Sequence, residues 1–361
     1  MFVAWRDLRF AKGRFALTGT VILLVALLVG LLSGLTEGLA QRNVSAIAGL
    51  PADRIAFRSP DAGQDLSFAD SAVTERQWRL WSEAPGVESA EPLGIATTRA
   101  SAGERGAGVS VLGVAPGSRL VPAGDAFGGG SAVLSRAAAE ELGVSAGDPF
   151  TLAGRELRVA DVRGDAFHNH TPVVWTGLDD WRAVAPPSGE ATEPAGTVLA
   201  LTTTAGADIA ATDRRAGTTT VRTGDSLTAI GSYAAENGSL RLMRGFLFAI
   251  SALVVGAFFT VWTVQRAGDV AVLKALGAST ARLLADAVGQ ALVLLAGGTL
   301  LGTALAAAVG ALLGSTVPFV LTPAILVGPA AVLIALGTLG AALAIRRITA
   351  VDPLTALGSV R

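Results

Sequence analysis

From Ala287 to Ile345 the chain carries no charged residue. A helix needs about 20 apolar residues to cross the hydrocarbon core of a bilayer, so this run has room for two crossings. The break falls in Gly314–Pro323, GSTVPFVLTP, where two prolines and several hydroxyl residues suit a tight turn. Two further uncharged runs precede it. Phe15–Thr36 follows Arg6, Arg9, Lys12 and Arg14, and Gly245–Gln265 lies between Arg244 and Arg266. The apolar region of a secretory signal is usually about 7–15 residues, so the first run is too long to be one. The expected spans are residues 15–36, 244–265, 287–313 and 324–345, with an outer turn at 314–323.

Composition agrees with a membrane class. The 361 residues are 51% hydrophobic, and the mean hydropathy is +0.54. Charge is divided unevenly. Residues 1–14, 266–286 and 346–361 hold ten basic and four acidic groups, and the rest holds eighteen basic and twenty-five acidic. Basic flanks stay in the cytoplasm, so both termini and the 266–286 segment are expected inside a bacterial cell membrane. This distribution does not fit a nucleic-acid binder, which carries its basic stripe on a soluble domain. There is no cysteine, hence no disulfide and no thiolate chemistry.

Residues 37–243 then form an extracytoplasmic domain, either one body or two small lobes. DRIAFRS, GVSVLGV, PFTLAGRELRVADV and TPVVWT read as short strands separated by Gly, Pro and Asp. SFADSAVTERQWRLWSEAPGV holds a helix stopped by Pro85-Gly86. A second helix runs from Ser135 to Leu142 and stops at Gly143. Ala185–Gly196 reads as a loop by composition. The fold class is therefore an α-helical polytopic membrane protein, with four transmembrane helices and a mixed α+β extracytoplasmic domain between helices 1 and 2.

Small residues recur where helices would meet. Gly298, Gly302, Ala306, Gly310 and Gly314 form a small-xxx-small ridge on the third span, for packing within the chain or across a dimer. Gly30, Gly34 and Gly38 repeat the spacing on the first; glycine is also common throughout the chain.

Chemistry-bearing motifs are few. There is no GxxxxGK[ST], so any ATP would be held by a separate subunit. HExxH and GxSxG are absent as well, and no residues in the spans suggest a membrane enzyme. His168 and His170 flank Asn169, but two ligands make a weak metal site, and a turn without metal is expected.

The segment Gln265–Asp286, QRAGDVAVLKALGASTARLLAD, returns both signs of charge between two spans. Asp269 suits the positive end of a short helix and Lys274 its negative end. Val270, Leu273 and Leu276 make a narrow apolar stripe. Gly277 is a natural stop, and Ser279 can cap the helix that re-enters the bilayer. An ordinary helical loop would show the same pattern. GDVAVLKALGAS resembles the segment between the second and third membrane helices of FtsX-like or MacB-type ABC-transporter permeases, although the family often has Glu-Ile-Gly at Asp269-Val270-Ala271. The resemblance implies a coupling helix docked on an ABC ATPase through Asp269, Val270, Leu273, Lys274, Leu276, Gly277, Ala278 and Ser279. SAVLSRAAAEELGVSAGD resembles the MacB-type outer core, and the DPLTAL ending resembles the family's closing Pro-x-x-Ala-Leu.

FVAWRDLRFAKGRFALTGT and LLSGLTEGLA are similar to the N-termini of permeases related to the HrtB haem-efflux group. This resemblance implies a permease homodimer that expels a hydrophobic or amphiphilic cargo, with haem foremost, while ATP and Mg sit on the partner ATPase. Tyr233, Glu236, Arg241, Met243 and Arg244, at the outer mouth of the second span, are then candidate cargo contacts. An interfacial anchor would use the same residue types. The alternative is a mechanotransmitter whose outer domain activates a cell-wall hydrolase or sensor without moving cargo.

Overall fold

The computed structural model describes residues 12–122, 128–185, 194–265, 272, 277, 279–313, 317–320 and 322–349. It divides into two compact units, one of residues 1–38 and 239–361 and the other of residues 39–238.

Among the described residues four helices are long and apolar enough to cross a membrane, with candidate spans Ala16–Ala48, Gly231–Val261, Ala285–Leu313 and Pro323–Leu343. They belong to α1 (Lys12–Ala48) and, late in the chain, to helices Gly231–Gln265, Thr280–Leu313 and Pro323–Thr349. Each helix is longer than its uncharged run, because helix geometry does not end where charge begins. Pro329 falls within the last helix.

In this first unit the glycines mark close approach. A Cβ built on Gly30 would stand 2.7 Å from the Ala306 Cβ, and one on Gly302 would stand 2.4 Å from the Leu23 carbonyl oxygen. Gly298 faces Ile22, and both Gly34 and Gly310 face the Phe319 ring. Val320 N–H donates to the Gly34 carbonyl at 3.2 Å. A helix pair touching at this range gains dispersion contacts that larger side chains would hold off. Gly314 lies outside the described residues.

The second unit is built on β1 (Arg54–Arg58), α2 (Glu75–Ser82), β2 (Val87–Ala102), β3 (Arg105–Val114), β4 (Ser131–Leu134), α3 (Arg136–Leu142), β5 (Pro149–Leu152), β6 (Arg155–Val162), β7 (Phe167–His168), β8 (Thr171–Gly177), α4 (Leu178–Val184), β9 (Val198–Thr203), α5 (Ile209–Ala216) and β10 (Thr218–Arg222). A short turn of helix, α6 (Thr223–Ser226), leads to α7 (Gly231–Gln265). The two later helices are α8 (Thr280–Leu313) and α9 (Pro323–Thr349).

The strands form one mixed sheet in the order β10-β1-β9-β2-β3-β8-β4-β6-β5, with β7 paired to β8. β3–β8 and β4–β6 are parallel, and the other pairs are antiparallel. The central member is β2, which is not one of the short strands expected. Along its full upper half it pairs β3, from Leu93↔Val114 to Ala102↔Arg105. Its other edge meets β9 only as far as Leu93↔Val198, and meets β5 from Ala100↔Leu152 onward. Neighbouring residues along a strand alternate between two cores, one on each face of the sheet. Phe57, Leu93, Leu112, Val173 and Trp175 sit in one; Val109, Val111, Leu134, Phe150 and Trp181 sit in the other.

Local signals explain the helix ends. Thr74 and Gln77 make a reciprocal capping box at α2. Ser135 caps α3 by accepting from Ala138 N–H, and Gly143 closes it in the left-handed region at φ 69°.

Candidate functional site

The proposed ATPase-docking segment is described only in part. Asp269, Val270, Leu273, Lys274, Leu276 and Ala278 lie outside the described residues. Gly277 has φ +92°, a conformation that side chains strain to adopt, with nothing within 4 Å of a built Cβ. Ser279 accepts the Arg282 N–H on its hydroxyl at 3.4 Å and on its carbonyl at 3.1 Å, which satisfies an orphan donor at the start of α8.

The five candidate cargo contacts all lie on α7. Tyr233 packs against the core around Ile47, Leu50 and Ile230. Glu236 belongs to a polar cluster within the second unit. Its carboxylate lies 2.9 Å from His170 Nε2 and accepts from Asn43 Nδ2 at 3.4 Å. The His170 and Asn43 nitrogens are themselves 3.2 Å apart. Two donors facing one carboxylate satisfy this geometry, with the imidazole proton on Nε2. Ser232 Oγ donates to Asn43 Oδ1 at 2.8 Å and also approaches the Asn169 amide. A hydroxyl has one proton, so Asn169 completes the cluster when its NH₂ faces Ser232. Arg241 and Met243 are exposed on the other unit's part of α7, and the Arg244 Nε is buried without a partner among the described residues. The structure therefore gathers Glu236 with Asn43, His170 and Ser232. Among the described residues it gives no hydrogen bond or ion pair among the other four candidates.

The two histidines lie on a tight hairpin. Asn169 and His170 have φ of 49° and 64°, as the two central residues of a mirror-image turn require, and they join β7 to β8. Their N–H groups donate to the Asn43 and Arg42 carbonyls at 2.9 and 3.0 Å, so the end of α1 holds the turn. The rings lie apart in role. His170 faces Glu236, while His168 is 5% exposed and meets Phe68 edge-on at 6.0 Å between centroids. Burial pushes the His168 pKa down to about 4, so it stays neutral at neutral pH. Among the described residues no group of three or more His, Cys, Asp or Glu could hold a metal ion.

A cavity of about 700 Å³ opens in the second unit beside the edge of β2 that neither β9 nor β5 covers. Ile95, Ala96 and Thr97 line it there, with Phe68, His168 and Trp181 on its walls. Thr197 fills the first vacant ladder position by accepting the Ile95 N–H at 2.8 Å. Periodicity could not reveal this cavity, because it arises where strands distant in sequence fail to meet.

Residues 15–219 match the family model described as MacB-like periplasmic core domain, and residues 242–353 match FtsX-like permease C-terminal. Over 131 residues the chain is 34% identical to the "Putative hemin transport system permease protein HrtB" of Staphylococcus haemolyticus, covering 36% of this chain and 37% of that protein. A relative of the same name from Staphylococcus epidermidis is 31% identical over 146 residues, covering 39% and 41%. These alignments span well under half the length of either relative. Among solved structures, the extracellular domain of the noncanonic ABC-type transporter YknZ from Gram-positive bacteria overlaps 47% of this chain and 98% of its own. It does so at 14% identity with a TM-score of 0.35.

Proposed function

The chain belongs to the family of FtsX-like permeases that carry a MacB-like periplasmic core domain, the permease components of ABC transporters, and from that premise we propose that it couples a separate ATPase to the expulsion of a hydrophobic or amphiphilic substrate. The observation that carries this reading is the joint match of both modules on a sequence without a phosphate-binding loop motif, with four membrane-length helices among the described residues. Haem is the lead cargo, supported by the name of the curated relatives.

In this reading both termini and residues 266–286 are cytoplasmic, and residues 37–243 lie outside. Asp269, Val270, Leu273, Lys274, Leu276, Gly277, Ala278 and Ser279 dock on the ATPase. Two copies of the chain pair, with Gly298, Gly302, Ala306, Gly310 and Gly314 available for close helix contact. Tyr233, Glu236, Arg241, Met243 and Arg244 meet the cargo. ATP and Mg belong to the partner.

The test is reconstitution of the chain with its ATPase in lipid nanodiscs. The expected result is ATP hydrolysis stimulated by haem and abolished, together with ATPase association, in Leu273→Glu and Lys274→Glu. Turnover indifferent to haem would remove haem as cargo. Association and turnover intact in both variants would remove the docking assignment.

A further inference from the structure

Within the first unit, α1 and α8 meet along an unbroken line. Ile22 lies against Gly298, Ala26 against Gly302 and Gly30 against Ala306, while Gly34 and Gly310 share the Phe319 ring. Each step of four residues on one helix is matched by a step of four on the other, so the two run parallel and in register. Backbone takes part in the seam. A Cβ on Gly302 would meet the Leu27 nitrogen at 3.0 Å, and one on Gly298 would meet the Gly19 carbonyl oxygen at 3.3 Å. Backbone cannot rotate aside as a side chain can, so packing this close resists sliding. One end of the seam is clasped by residues 317–320. Val320 N–H donates to the Gly34 carbonyl at 3.2 Å. The Pro318 carbonyl occupies the place a side chain on Gly38 would need, and the Phe319 ring rests on both helices at once. The contact of α9 is softer: a Cβ on Gly337 would meet only methyl groups of Leu295 and Val255, which can change rotamer.

We propose that α1, α8 and residues 317–320 move as one rigid body with Phe319 as its clasp, so that a displacement imposed at the start of α8 is delivered to α1. Packed interfaces of this kind hold one arrangement or jump to another and do not deform continuously. Ser279 caps α8 where the docking segment ends, so the delivery of force rests on the docking reading above. The rigidity of the pair does not rest on it.

The test uses the full chain in lipid nanodiscs. The sequence holds no cysteine, so spin labels go only where cysteines are introduced. Leu28→Cys with Leu312→Cys marks the clasped end, and Leu17→Cys with Val293→Cys marks the other; all four positions are exposed. Pulsed dipolar EPR then reads both distances on the chain alone, and on its complex with the ATPase before and after trapping with ATP and vanadate. The expected result is one narrow distribution for each pair, with the same mean in every state. In Phe319→Ala the clasped pair should widen about twofold as the emptied seat gives the helices room, while the other pair keeps its width and reports an intact fold. Phe319→Leu, which refills most of the seat, should restore the narrow distribution. A mean that shifts on trapping beyond the width of its resting distribution would overturn the rigid body. Equal widths in wild type and Phe319→Ala would overturn the clasp. A chain that fails to bind the ATPase yet keeps both narrow distributions would count against the docking reading and leave the rigid pair standing.

Discussion

Gly94 and Gly113 stand opposite each other across β2 and β3, and the Trp181 side chain rests on the flat patch they leave. A Cβ on Gly94 would lie 2.2 Å from the indole, and one on Gly113 would lie 2.3 Å from the Trp181 Cβ. Gly113→Ala should therefore force α4 off the sheet and cost about 1–3 kcal/mol by overpacking. Gly108→Ala, on the same strand with its nearest neighbour 3.8 Å away, should be close to neutral. Thermal unfolding followed by circular dichroism separates the two.

Acid should weaken the outer domain through His168. The unfolded chain binds a proton below about pH 6.5, whereas the buried ring resists until about pH 4. The unfolded state holds more protons in that window, so stability falls as pH drops through it. This contribution is complete above the unfolded pKa, and its full loss amounts to about 3 kcal/mol. His168→Phe keeps a ring without a titration. Its unfolding temperature should fall less than that of wild type between pH 7 and pH 4.5.

Asn43 is fully buried and ties the end of α1 to Ser232 and Glu236. Asn43→Leu leaves those groups short of partners and should cost about 1–3 kcal/mol in denaturant titration. Asn43→Asp should cost more, since it sets a second carboxylate beside Glu236. Equal losses in the two variants would show that shape, not charge, governs this position.

In the membrane unit, Gly302→Val should sharply lower folded yield because its Cβ would strike the Leu23 carbonyl, at a cost at or above the ~1–3 kcal/mol typical of overpacking. Gly297→Val, with nothing within 4 Å, is the matched control. Size-exclusion recovery in detergent reads both.

What was legible followed from local rules. Ser135 and Gly143 announce α3 because caps act over one helical turn, and the uncharged runs announce four helices because a bilayer demands them. β2 was hidden as a long strand, since Gly94 and Pro92 interrupt any propensity reading, and tertiary pairing overrides propensity. β9 and β10 were missed because VLALTT and TTTVR carry weak alternation. The polar cluster was half visible: Glu236 was singled out on α7, and the histidine pair was read as a turn. Their meeting with Asn43 depends on packing that no spacing encodes. The cavity had no signal at all.

β1 lies between β9 and β10, with Ile55 opposite both Ala200 and Val221. Both partners reach the strand only after most of the outer domain has been synthesised. Long-range pairings close slowly, because the chain loses entropy before any contact repays it. Newly made chains therefore carry β1 without either partner until translation passes Thr203, and with one edge open until it passes Arg222. An unpaired strand edge of this kind is prone to misjoining with a neighbouring copy.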